Sequence, residues 1–274
     1  MSEAVATWWY FLCMTAVINM AAWTLSARAL RRRHGTLTAE SYRACRLQLL
    51  LSALYVFGCA FRSALPVYDI PRMGLVDSWL SSVIVGRSVA TLAELSFAVQ
   101  WALILHGIGQ TVGSSFARGA SWVIVPLIAI AECCSWYAVL TTSNLGHVFE
   151  NSLWGLSAAL GVASLMSIGL RSPASRPRAF PAWCVAGIGF VAFIFLLDVP
   201  MYWSRWRSDE AHGKHYLTLS QGLHDVATRR VISFRWEDWK SEVVWMSLYF
   251  SVGVWVSISL IRVPRKARPA SAPP

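Results

Sequence analysis

Seven stretches of this chain are each long and apolar enough to cross a bilayer, and that leaves few folds open to it. A spanning helix needs about 20 mostly apolar residues. The runs fall near 5–26, 45–66, 82–107, 120–141, 151–171, 180–203 and 243–262. The expected fold class is therefore all-α, a polytopic integral membrane protein built as one seven-helix bundle over residues 1–268. A Pro- and Ala-rich tail at 269–274 is expected to be disordered. Composition agrees, with 56% hydrophobic and 14% charged residues and fifteen Trp, a residue that favours membrane interfaces.

Polar breaks separate the runs. Thr141 to His147 reads as a turn between the fourth and fifth, and Ser172 to Pro177 divides the fifth from the sixth. The chain shows no internal repeat and no second domain. Its six cysteines lie in or beside apolar runs without a CxxC pair, as small buried hydrophobes do.

Orientation follows from the basic residues. The first run has Glu3 in front, lacks a basic leader and runs straight into Arg28 and Arg31, Arg32 and Arg33, the pattern of a retained anchor rather than a cleaved signal. With the N-terminus outside, one side of the membrane receives those arginines together with Arg43, Arg46, Arg118, Arg171, Arg176, Arg178, Arg262, Arg265, Lys266 and Arg268, against the single acid Glu40. Positive charge stays inside, so the expected topology is N-out and C-in. The net charge of +10 then answers to anionic lipid and not to nucleic acid. The compact, Arg- and Ala-rich chain points to a bacterial inner (cytoplasmic) membrane. The long connection, residues 204–242, is expected outside. It carries Trp206, Trp236 and Trp239 and a weak helical period through Leu219, Leu223 and Val226.

Four carboxylates interrupt the apolar runs: Glu94, Glu132, Glu150 and Asp198. An ionisable group at the bilayer centre costs about 2.5–3.5 kcal/mol on insertion scales and marks a functional site by default. At ~1.5 Å per residue, Glu94 and Glu132 fall near the midplane, with Arg87 about 10 Å nearer the outside. Glu150 and Asn151 open the fifth run at the outer edge, with Trp154 one turn deeper. Asp198 and Tyr202 lie in the outer half of the sixth, and Arg62 is at similar depth in the second. Arg87, Thr91, Glu94 and Trp101 share one helical stripe, and Glu132 shares a face with Trp136. The ligand-binding candidates are thus Arg62, Arg87, Thr91, Glu94, Glu132, Trp136, Glu150, Asn151, Trp154, Asp198 and Tyr202, around a polar cavity open to the outside. Against this stands a structural explanation: Arg87–Glu94 and Arg62–Asp198 as packing ion pairs, Glu150 as a solvated helix start, the tryptophans as belt residues. Gln100 points off the stripe, as an interhelical hydrogen-bonding group would.

Known chemistries find no support. The last run contains no lysine for a retinal Schiff base, Lys240 lying outside it, and the runs supply only His106 toward a zinc–histidine site. His212, His215, His224 and Asp225 could ligate a divalent cation, but Gly213 among them favours a solvated loop. No metal, cofactor or catalytic residue is assigned. The leading expectation is a binding protein, a sensor or accessory subunit, holding a small polar molecule or lipid headgroup. Its partners would be membrane lipid, that ligand and a partner membrane protein. The alternatives are a membrane enzyme on lipid or lipid-linked substrates with a buried carboxylate as general acid/base, and a proton-coupled transporter.

Overall fold

A computed structural model describes residues 1–171 and 180–261. The expected break at 172–177, the basic residues beyond 261 and the tail at 269–274 lie outside the described residues. Among the described residues, seven helices are long and apolar enough to span a membrane: α1 (Glu3–Arg32), α2 (Ala39–Ala64), α3 (Val83–Thr111), α4 (Ser115–Thr141), α5 (Asn144–Arg171), α6 (Phe180–Ala211) and, after two short helices, α9 (Val243–Leu260). Local chemistry fixes several starts. The side chains of Ser2, Thr38 and Ser114 each accept a backbone N–H of the first turn, from Val5, Ser41 and Ala117, satisfying donors that have no intrahelical partner.

Successive helices pack side by side from α1 to α6, and α9 closes the bundle against α1, α2 and α3. Small residues permit close approach, as membrane helix packing requires: a Cβ on Gly146 of α5 would lie 2.7 Å from the Ala138 Cβ and the Cys134 carbonyl of α4. One apolar core gathers Trp8, Leu12, Tyr55, Val56, Phe250 and Val254, and a second joins α3, α4 and α5 through Ala98, Leu105, Ile124, Ile128 and Ile168. Gln100 behaves as its position off the stripe predicts. Its amide donates to the Gln48 side-chain oxygen (3.2 Å) and accepts from Ser257 Oγ (2.6 Å), tying α2, α3 and α9 together.

Helices α6 and α9 each widen into one π turn, at Ile194–Asp198 and Tyr249–Gly253. Such turns insert a residue and re-aim the side chains around it. A carbonyl in the second is taken up by Asn19 of α1, whose amide donates to Phe250 O at 2.7 Å.

A small cap covers the end of the bundle where α2 meets α3 and α4 meets α5. Strands β1 (Val67–Tyr68) and β2 (Met73–Gly74) pair antiparallel, and β3 (Val231–Ile232) joins β2 in parallel. The long connection also forms α7 (Leu219–Thr228) and α8 (Trp236–Trp239). The weak period read there is a true helix, opened by a Thr218–Gln221 capping box. Gly222 and Val226 face the bundle while Leu219 and Leu223 face outward. Buried Arg72, in a left-handed backbone conformation (φ 68°), staples the cap. Its guanidinium pairs with Asp225 of α7 and donates to Val139 O near the end of α4 at 2.9 Å. The Asp225 carboxylate, considered from sequence as a metal ligand, is committed to that pair.

The fifth helix departs from its sequence boundary. It begins at Asn144 and not at 151, because the polar residues there find partners inside the protein: Asn144 Nδ2 donates to Asp209 Oδ2 at 2.8 Å, and His147 meets Glu150. Glu150 therefore sits nearly two turns inside the helix, and it is buried. The expectation of a solvated residue at a helix start is corrected.

The cap depends on close approach at Gly222, where a Cβ would lie 2.0 Å from the Leu140 carbonyl oxygen. Gly222→Ala is expected to cost about 1–3 kcal/mol through overpacking and to lift α7 from α4. Hydrogen exchange should then accelerate across residues 219–228 while the helical circular dichroism of the bundle is retained.

Candidate functional site

Arg87, on the buried face of α3, is the hub of the polar centre. One of its terminal nitrogens, Nη2, lies 2.6 Å from Glu132 Oε2 of α4, 3.4 Å from Glu94 Oε2 one helical stripe along α3, and 3.4 Å from Glu150 Oε1 of α5. The other, Nη1, is 4.0 Å from Asp69 in the cap segment between β1 and β2. Nη2 carries two N–H groups and faces three carboxylates. One oxygen of each of the three glutamates falls within a 4.8 Å span. All four groups are buried.

Each carboxylate also has a further polar partner of its own. Thr91 Oγ1 donates to Glu132 Oε2 at 2.6 Å, and the Trp136 indole N–H holds Thr91 in place at 3.1 Å. Tyr249, at the π turn of α9, donates its hydroxyl to Glu94 Oε1 at 2.9 Å. His147 Nδ1 meets Glu150 Oε2 at 2.6 Å. An ionised carboxylate only accepts, so that nitrogen carries the hydrogen. The Ser135 hydroxyl faces Glu150 from α4.

A second group of polar side chains lies between this centre and the cap. The Tyr202 ring stands 4.9 Å from the His147 ring. Asp198, in the π turn of α6, is close enough to feel the charges of Glu242, Glu150, His147 and Arg205. Arg205 donates to the Tyr68 hydroxyl at 3.2 Å and sits over the Tyr202 ring. Glu242, just ahead of α9, has its carboxyl pushed above the usual carboxylate range by burial, an effect that Arg205 and the Tyr68 hydroxyl oppose.

The sequence candidates thus divide. Arg87, Thr91, Glu94, Glu132, Trp136 and Glu150 form one contact network, with Asp198 and Tyr202 beside it. Trp154 packs into the apolar core of α3, α4 and α5. Asn151 is half-buried on α5, about 100° around the helix from Glu150. Arg62 lies with its guanidinium 5.8 Å over the Phe250 ring, and among the described residues it forms no ion pair with Asp198. Its Nε is buried without a hydrogen-bond partner. The charges are well buried: Glu132, the least exposed of the three glutamates, is 3% exposed.

Sequence reasoning passed over Asp69, His147, Tyr249 and Glu242. His147 carried a usable signal, its i,i+3 spacing to Glu150, hidden because the segment looked like a turn. Tyr249 carried none, since a tyrosine in an apolar run is ordinary and the π turn that aims it has no sequence mark.

In comparisons with known proteins the chain matches no protein-family model, no curated protein and no solved structure.

Removing one partner of a buried ion pair costs about 3–5 kcal/mol, because the remaining charge is left uncompensated. Arg87→Gln strands three carboxylates and should lower thermal stability in detergent by that order. Glu132→Gln keeps the shape and removes one negative charge, so it should cost markedly less. Equal losses in the two variants would show that Arg87 does not serve as the counter-charge.

Proposed function

We propose that the protein is a multi-pass membrane binding protein whose acid-rich centre receives positive charge, as a small cationic group or a proton, from the cap end of the bundle. One observation carries this: three buried carboxylates share a single arginine. Uncompensated charge is very costly away from water, so the excess acid favours a positively charged occupant. This narrows the sequence expectation. Arg87 is held by its own glutamates, which leaves it poorly suited to meet an anionic headgroup.

The side groups support entry from the cap. Asp198, His147, Tyr202 and Glu242 lie between the centre and the cap, and both π turns fall where helices present a side chain to this region (Asp198 and Tyr249). Irregular helix turns of that kind recur at functional positions. The same arrangement suits a proton-coupled transporter, the second reading, since chains of acids and histidine in membranes serve as proton relays.

The proposed orientation is N-out and C-in, in a bacterial inner membrane, with the cap outside. Among the described residues, Arg28, Arg31, Arg32, Arg33, Arg43, Arg46, Arg118 and Arg171 lie toward the end opposite the cap, the basic end that stays inside. Fused at the C-terminus and expressed in a bacterial host, green fluorescent protein should fluoresce and alkaline phosphatase should be inactive. The reverse pair of results would invert the topology.

Binding is tested with purified protein in lipid nanodiscs by thermal unfolding against a panel of alkylamines, guanidinium compounds, alkali ions and divalent cations, with phosphate and carboxylates as anionic controls. A ligand at 100 times its Kd stabilises by about 2.7 kcal/mol. At least one cation class should raise Tm, and Glu132→Gln should abolish the rise. Stabilisation by the anions alone, or by no cation together with a Tm whose pH dependence is the same in Glu132→Gln, sinks the proposal.

A further inference from the structure

Glu94 and Glu132 bring two carboxyl groups to one guanidinium nitrogen in a dry interior. One oxygen of each lies within 4.8 Å of the other, both accept from Arg87 Nη2, and they are 6% and 3% exposed. Ionised carboxylates have no donor to offer one another, so a hydrogen bond between them requires a proton on one. The donors around the pair agree. Glu94 has Tyr249 on Oε1 and Arg87 on Oε2. Thr91 and Arg87 both converge on Glu132 Oε2, and Glu132 Oε1 is buried with no donor. A buried acceptor left bare costs about 1–3 kcal/mol. A carboxyl O–H from Glu94 would fill that place.

We infer that Glu94 and Glu132 together bind one exchangeable proton, and that Glu150, His147 and Asp198 connect it to the cap end. This rests on the centre being a site for positive charge and names the proton as its resident occupant. The charge count favours it: with Arg87 cationic and one proton on the pair, the three glutamates retain a single excess negative charge, adjacent to His147. Two carboxylates that share a proton act as one site for it.

The surrounding groups constrain how that unit behaves. Facing the pair and its neighbours are Arg87 and Thr91 of α3, Ser135 and Trp136 of α4, and His147 and Glu150 of α5. Asp198 and Tyr202 of α6, Tyr249 of α9 and Asp69 of the cap segment complete that side. From α2, Tyr55, Cys59 and Arg62 lie near Tyr249. On exchange, an O–H bond on the pair breaks and one on Glu150 forms. The O–H on Glu150 then breaks as its proton passes to water toward the cap end, along a route lined by His147, its Nδ1–H turned to Glu150, and by Asp198. No electron is transferred and no other bond changes.

Infrared spectroscopy of the protein in lipid nanodiscs tests this directly. At neutral pH a carboxylic C=O band should be present, shift on deuteration, vanish in both Glu94→Gln and Glu132→Gln, and persist in Glu150→Gln. In Asp198→Asn and His147→Ala the band should remain, but deuterate more slowly after a jump into D2O. Raising the pH of the unmodified protein should remove the band with release of one proton per chain to a pH-sensitive dye, which decides the matter even if a substituted protein does not fold. Absence of the band, or its survival in both Gln variants, overturns the shared proton. Unchanged deuteration in Asp198→Asn and His147→Ala overturns the route. A missing band together with an intact cation-dependent Tm rise would refute the proton alone and leave the binding site standing.

Discussion

The convergence of three glutamates on Arg87 is the interaction around which the bundle is arranged. Each acid alone would be an expensive insertion into hydrocarbon. Together they draw α3, α4 and α5 onto one guanidinium, and through Tyr249 they reach α9 as well. Buried ionic networks contribute less to stability than their number suggests, since desolvation offsets most of the attraction. What they give is specificity. With one arginine at the hub, the register of three helices is fixed to within the reach of a hydrogen bond.

The cap extends the same logic to the end of the bundle. Arg72 reaches from a left-handed turn to the last carbonyls of α4 and to Asp225 of α7, so a charged residue closes a helix end where its carbonyls lack partners. Asp69, in the same segment as Arg72, stands beside Arg87. One short loop thus contributes Arg72 to the cap and Asp69 to the edge of the centre.

Much of this was legible in the residues. Hydropathic length alone gave the seven helices, and the 100° step placed Arg87, Thr91 and Glu94 on one stripe before any contact was known. Gln100 was identified as an interhelical residue by pointing away from that stripe. The start of α5 was misplaced because hydropathy measures apolar length, whereas a helix continues wherever its polar residues have protein partners. Asn144, His147 and Glu150 have them. That error made Glu150 look shallow, when it is the third carboxylate of the centre.

The sequence by itself determined the class of fold and the handful of charges that hydrocarbon would not tolerate alone, because both follow from transfer free energies that depend on composition and order. Tertiary structure decided which charges meet. Glu132 and Glu150 found Arg87, while Arg62, equally plausible by depth, lies over Phe250. Depth along a helix is set by counting residues. Azimuth between helices is set by small-residue contacts such as Gly146 on Ala138, and by π turns that rotate a helix midway, and neither leaves a pattern in a single chain that counting can recover.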